Sequence, residues 1–538
     1  MIMTEELYLR TEDIDDREIL SLYVETPQDA DTLRLLKSST PTVLVGSRGV
    51  GKSFLMKVAY AQLKNDFPHC RVLPVYLTFI KSSLVAIHQT GAFLYWMLAK
   101  ISHAIVRELQ RSGFIVHSNP DIDLLSGGRY EERTAIKIDT ILKAFENSWK
   151  EKTEIDTSSI PSVEDLKEAV SDICEANDIK RIVLFFDEAA HIFIREQQTQ
   201  FFTLFRDLRC PCISCKAAVY PGVTAFGDTF QYSQDASFIN LNRSISEVSY
   251  VNGMKDMVLR QVTDSNYQKE LSRKGEAFTD LTYAASGNPR FLLSNIRNLP
   301  KFGTLEINQS IKDFYRVTIL SNHTALSSKY PNLKELIDWG RKFLDDVLLP
   351  EIRKRNSEAL ASCKPTTSYF WIHKDAPEPV KRAISLLEYS GLVQEVTKGI
   401  KASGGEIGTR YMVNLGCLLS LEANPLSVSH DIIKNLDIRR IVEFGMNNPN
   451  FYSIKDLLQT IDDNDLSHSL EMRISENLDV LPMSNNMKVK LHELGLNTIK
   501  DVLSATEAEL MQAYYVGNKR ARMMKNVALT SVYEYLIG

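Results

Sequence analysis

The sequence predicts an α/β core with a parallel sheet and a helical lid, followed by two smaller modules, one mixed and one all-α. Three observations carry this. Short β-branched apolar runs alternate with amphipathic helical stretches over the first half of the chain. One such run, "TPTVLVG", leads straight into a glycine loop and then a helix. After about residue 320 the pattern changes to helix, strand, helix and hairpin, and then to short helices alone.

The loop is Gly46-Ser47-Arg48-Gly49-Val50-Gly51-Lys52-Ser53, a full match to GxxxxGK[ST]. Leu55, Val58, Ala59 and Leu63 then recur at helical spacing. Strand, glycine loop and helix is the context in which this motif binds a nucleoside triphosphate, so the core reads as a P-loop NTPase. The glycines let successive backbone N–H groups converge on phosphate oxygens, and the helix N-terminus adds positive potential. Gly46 to Ser53, with Phe54, form the candidate ATP cradle. Lys52 reaches the β- and γ-phosphates, and Ser53 ligates Mg²⁺. The second half is "RIVLFFDEAAHIF". Its apolar strand ends in Asp187, a candidate for the Mg²⁺ shell, and Glu188, a candidate to polarise the attacking water. That second carboxylate favours hydrolysis, although a slow switch carries it too. His191, one turn further on, has no assigned role.

A third segment, "YAASGNPRFLLSNI", reads as helix, turn, helix, with Pro289 in the first turn of the second helix. In this order the three segments resemble the AAA+ ATPases of the origin-recognition and initiator type over about residues 20 to 300. The resemblance implies that Gly46 to Ser53 act as Walker A and Ile182 to Glu188 as Walker B. It implies that Arg290, in "GNPR", acts as a sensor of the γ-phosphate at the start of a lid helix. It also implies assembly through the ATP site. Related signalling ATPases of the STAND type, with a fused winged helix, share much of the plan. The sequence departs from the pattern at the strand after Walker B, which ends in Tyr220-Pro221. Tyr220 or Thr224 stands where a polar sensor is expected. Arg206, Arg209 and Arg243 are candidates for a finger acting in trans.

The expected organisation is a lead-in over 1–40 and an ATPase core over 41–250, with a helical insertion at about 81–180. A helical lid spans 251–320. A winged-helix-like domain spans 321–421, where "PVKRAISLLEYSGL" is a second amphipathic helix and "TKGIKASGGEIG" a glycine-rich hairpin tip. Its phosphate-contact candidates are Lys381, Arg382, Lys398 and Lys401. A winged helix also serves protein packing. Residues 422–480 read as a helical connector. Residues 481–538 resemble the helix-hairpin-helix domains that end many DNA-processing proteins and the bacterial RNA polymerase α subunit. Turns are expected near "LGLNT" and "YVGNKRA", with Gly517 making the second. Lys519, Arg520, Arg522 and Lys525 cluster there as DNA-backbone candidates. A small protein-docking domain with a solvated basic face is the other reading.

Bulk numbers set limits. The chain has 538 residues and a net charge of −5, which excludes a uniformly basic coat but not local basic patches. No apolar run reaches the roughly 20 residues that span a bilayer. The best candidate, "GAFLYWMLAKISHAIV", is broken by Lys100 and His103. Seven scattered cysteines are thiol usage of a cytoplasmic kind. Cys210, Cys212 and Cys215 lack a fourth ligand at sensible spacing and read as packing in a buried strand. Two functions follow as expectations: an ATPase switch acting on or with DNA, and a signalling ATPase that controls a separate effector protein encoded nearby.

Overall fold

The computed structural model describes residues 7–79, 85, 91–114, 119–130, 136–148, 155–189, 194–232, 234–262, 265–297, 299, 301–454 and 473–537. His191 and the acidic stretch 460–471 lie outside them. The core is a five-stranded, wholly parallel sheet of β1 (Thr42–Val45), β2 (Val72–Thr78), β3 (Arg181–Asp187), β4 (Ile213–Val219) and β5 (Ser237–Asn240). The spatial order is β2-β3-β4-β1-β5. This is the expected α/β P-loop architecture.

Alternation along the strands explains the two covered faces. On β3, Ile182, Leu184 and Phe186 face one hydrophobic cluster, and Val183 and Phe185 face another. The second cluster belongs to the P-loop helix Lys52–Cys70 and the helix Pro27–Lys37. The first is filled by the inserted helices Ala92–Arg111, Lys137–Asn147 and Val163–Ala176. The insertion therefore covers the sheet. One polar residue is built into the other face. Buried Lys216, on β4, donates to the carbonyls of Leu35 (3.0 Å), Ser38 (2.9 Å) and Thr40. The β4 lysine thereby satisfies carbonyls at and beyond the end of the helix Pro27–Lys37. The Cys210–Cys215 region holds no metal cluster among the described residues, and Cys215 is a buried strand residue.

The stretch expected to form a lid, 251–320, begins with helices from Tyr250–Gln261 to Pro289–Arg297. The stretch expected to form a winged-helix-like domain follows. A helix beginning at Lys334 passes through a π-helical turn at Phe343–Leu348 and continues to Ala361. Then come β6 (Tyr369–His373), one helix (Glu378–Tyr389), and the hairpin β7 (Val393–Lys401) and β8 (Ile407–Val413). The hairpin pairs antiparallel, and β8 pairs antiparallel with β6. The stretch 422–480 departs from an all-helical connector. Its β9 (Ile441–Phe444) adds to the outer edge of β6 in parallel. Four residues are too few for periodicity to announce a strand. Among the described residues the C-terminal module holds the helices Asn485–Glu493, Ile499–Ser504, Glu507–Leu510 and the 20-residue Asn518–Ile537, packed around Leu478, Leu491, Ile499, Leu510 and Met524.

His323 packs against the end of the helix Glu378–Tyr389. It is fully buried, and its Nδ1 lies 2.8 Å from Ser390 Oγ at the end of the helix Glu378–Tyr389. Burial pushes its pKa down to about 4. The native state thus requires the neutral ring, whereas the unfolded ring takes up a proton below about 6.5. Stability from this residue is complete above that value and is lost as pH falls toward 4, by about 3 kcal/mol in all. Urea unfolding at pH 7, 5 and 4 is expected to show this loss in the native chain and a weaker slope in His323→Asn. Equal slopes would remove His323 from the account.

Candidate functional site

The sheet order sets the site. The P-loop leaves the C-terminal end of β1, and Asp187-Glu188 leave the C-terminal end of β3. Because β4 lies between them, its own end brings Tyr220 between the two motifs. The Lys52 ammonium sits 4.0 Å from the centroid of the Tyr220 ring. It donates to the carbonyls of Gly46 (2.7 Å) and Ser47 (3.0 Å). Burial pushes Lys52 down to about 7.

Ser53 Oγ donates to Asp187 Oδ1 at 2.9 Å, and Tyr76 OH donates to Asp187 Oδ2 at 2.6 Å. Each carboxylate oxygen of Asp187 thus accepts from a hydroxyl, and Oδ1 also accepts from the Glu188 N–H at 3.1 Å. Glu188 sits in the left-handed backbone region at φ +58°. Its Oε2 is buried with no hydrogen-bond partner among the described residues. Burial and then the adjacent Asp187 charge raise its pKa. A hydroxyl–carboxylate pair beside an orphaned buried carboxylate oxygen suits a divalent cation and a water molecule.

The "GNPR" segment lies directly on the P-loop. Asn288 Nδ2 donates to the Arg48 carbonyl at 2.7 Å, and the Arg290 N–H points to the Gly49 carbonyl at 3.4 Å. A Cβ on Gly49, at φ +88°, would meet Arg290 Cβ at 2.7 Å and Asn288 Oδ1 at 2.8 Å, so only glycine fits. The Arg290 side chain donates through Nε to the Leu9 carbonyl at 3.0 Å.

Leu9 belongs to a wall that the sequence reading passed over as lead-in. Tyr8–Ile14 and Leu22–Val24 close a cavity of about 220 Å³ against the P-loop, Met257, Gln261, Pro289 and Leu293. The Tyr8 N–H is held by Gln261 Oε1 at 2.9 Å. Phe54 lines this cavity too. Its only sequence signal is that an acidic segment with Tyr8, Ile14 and Ile19 carries apolar residues to bury.

The finger candidates separate. Arg243 lies inside this same cavity, donating to the Val50 carbonyl at 2.9 Å and paired with Asp29 at 3.4 Å. It is committed in cis. Arg206, at the end of the helix Arg195–Asp207, bonds Asp207 and the Thr229 carbonyl, and Arg209 is exposed just after that helix. Thr224 donates to the Tyr220 carbonyl at 2.8 Å, so the ring of Tyr220 rather than that hydroxyl meets Lys52.

The helix Glu378–Tyr389 also touches the cradle. The Arg48 N–H donates to the Tyr389 carbonyl at 3.3 Å, and the Tyr220 and Tyr389 rings meet edge to face at 5.0 Å. A Cβ on Gly222 would strike Ser385 Oγ at 2.4 Å. The helix Glu378–Tyr389 is therefore seated on the P-loop core. Lys381, half-buried, pairs with Glu378 at 2.7 Å, and Arg382 is half-buried. Lys398 and Lys401 stand exposed on the wing, Lys398 with Glu395 at 3.4 Å. In the C-terminal module Lys519, Arg520 and Arg522 are exposed, and Lys525 is half-buried. Gly517 is not the left-handed turn residue there; Tyr515 is, at φ +62°.

No family model matches the sequence, and no curated protein does either. Among solved structures, that of the Aeropyrum pernix ORC1 protein in complex with DNA aligns with 77% of this chain and 97% of its own, at 11% identity and a TM-score of 0.34. At that score the fold assignment rests on the sheet order and the P-loop geometry. Among the described residues no helix is long and apolar enough to cross a membrane.

Proposed function

We propose that the protein is an ATP-binding and ATP-hydrolysing switch of the AAA+ type that acts on or with DNA, its nucleotide state coupled to DNA contact or assembly. One observation supports this above others. The P-loop backbone is bonded at adjacent residues to the lid, through Asn288 and Arg290, and to the winged helix, through Tyr389. A change at the cradle reaches both modules without an intermediary.

Bound Mg²⁺-ATP supplies an electrophilic γ-phosphorus and the divalent charge that offsets its oxygens. Lys52 exchanges its two carbonyl partners for phosphate oxygens. Ser53 and Asp187 would hold the cation, which would supply charge to the phosphate oxygens. Glu188 orients a water and takes its proton, its raised basicity suiting it to that transfer. Arg290, tethered to Leu9, is the group that reports phosphate to the lid. Lys519, Arg520 and Arg522, with Lys398 and Lys401, are the DNA-backbone candidates.

The test is duplex binding to the full chain by fluorescence anisotropy with a non-hydrolysable ATP analogue and with ADP. The expected result is an affinity difference of about tenfold or more between the two states. Equal affinities, or no binding in either, would sink the reading. The seating of the winged helix on the core favours one alternative, a STAND-like switch in which that helix clamps the nucleotide site and a separate effector protein receives the signal. A stoichiometric partner released or recruited by ATP, with DNA binding that is weak and lost at modest salt, would establish it instead.

A further inference from the structure

The C-terminal hairpin carries a feature that backbone contacts with a duplex do not use. Tyr514 and Tyr515 are 77% and 71% exposed, side by side in the turn before the helix Asn518–Ile537. Their rings meet edge to face at 4.5 Å and 89°. Apart from this mutual contact, the two exposed rings leave most of their apolar surface in water.

The turn is held so as to present them. Tyr515 takes φ +62°, a conformation costly for a bulky residue. Two cations fix the backbone on either side. Lys490 donates to the Tyr514 carbonyl, and Arg520 Nη1 donates to the Tyr515 carbonyl at 2.7 Å. The Lys490 ammonium lies 5.9 Å from the Tyr515 ring centroid. Beyond the turn Lys519 and Arg522, the latter also paired with Glu507 at 3.2 Å, line an open hollow of about 640 Å³ with Pro482, Asn518 and Met523. Rigidly displayed rings next to a basic hollow combine a stacking surface with a phosphate track.

We propose that the Tyr514–Tyr515 tip is a stacking platform for unpaired nucleobases, so that the C-terminal module engages single-stranded nucleic acid while Lys519 and Arg522 take its phosphates. Every base offers a π-face, so the contact tolerates sequence, whereas bases inside a duplex are already stacked and unavailable. The proposal rests on the reading of this module as a nucleic-acid contact and names its substrate class.

The full chain is titrated with a labelled single-stranded DNA of about 20 nucleotides, the matching duplex, and single-stranded RNA of the same sequence, at physiological salt. The native chain is expected to prefer single strands. Tyr514→Ala lowers that affinity roughly tenfold, and the double Tyr514→Ala/Tyr515→Ala variant roughly a hundredfold, with duplex affinity unchanged within about twofold. Tyr514→Phe retains single-strand binding, since stacking needs the ring and not the hydroxyl. The RNA arm shows which sugar is accepted. Equal losses on single strands and duplex, or a duplex-only binder, would overturn the stacking platform and leave the DNA reading in place. If no nucleic acid binds at all, both fall together. Far-ultraviolet circular dichroism of each variant checks that the hairpin still folds.

Discussion

Lys52→Ala is expected to weaken ATP binding by at least about a hundredfold, because one side chain supports both the nucleotide and the loop that holds it. A charge-assisted hydrogen bond contributes about 1.5–3 kcal/mol, and Lys52 is placed to make more than one to phosphate. The ammonium also holds the Gly46 and Ser47 carbonyls and lies over the Tyr220 ring. Alanine removes all of these. Equilibrium titration with a fluorescent ATP analogue reads the effect. Thermal unfolding without nucleotide should shift far less, since burying the cation already opposes its charge. Near-native affinity in a folded Lys52→Ala chain would mean that this glycine loop is not the phosphate cradle.

The features that rest on local chemistry were legible in the sequence, and those that rest on distant packing were not. "VLVGSRGVGKS" is a strand, a loop and a helix within one short stretch, so residue type and spacing settle its geometry. "RIVLFFDE" likewise carries its own strand and its own carboxylates. Tyr8–Ile14 became a wall of the site only by meeting Gln261 and Arg290, some 250 residues further on. Nothing in a polar, acidic segment signals such a partner. Tyr389 sits on the apolar face of an amphipathic helix, where a residue bound for its own module's core and one bound for another domain look alike. Arg243 shows the converse. Its loop position suggested a group reaching outward, yet Asp29 and the Val50 carbonyl turn it inward. At the C-terminal hairpin, composition pointed to Gly517 as the turn residue. The left-handed conformation falls instead on Tyr515, held by Arg520, because tertiary contacts overrode local preference.

Glu188→Gln is expected to leave ATP affinity within about threefold of native and to cut turnover by roughly 10² to 10⁴, the contribution of a positioned general base. The substitution keeps volume and removes the negative charge together with the capacity to take a proton. Its position makes the result interpretable. Glu188 is fixed by its left-handed backbone and by its own N–H bond to Asp187, neither of which the amide disturbs. The carboxylate is held at a cost, shown by its raised pKa and its buried Oε2 without a partner among the described residues. A neutral amide avoids the desolvation of a charge, so nucleotide-free Glu188→Gln should melt at the same temperature or slightly higher. Activity falling while stability holds or rises is what a residue retained for chemistry gives. A structural residue loses both together. The variant should also accumulate the ATP-bound state, so its DNA affinity in ATP should match that of the native chain with the non-hydrolysable analogue. Full turnover in Glu188→Gln would move the base elsewhere, and an ADP-like DNA affinity in ATP would break the coupling between the cradle and the modules seated on it.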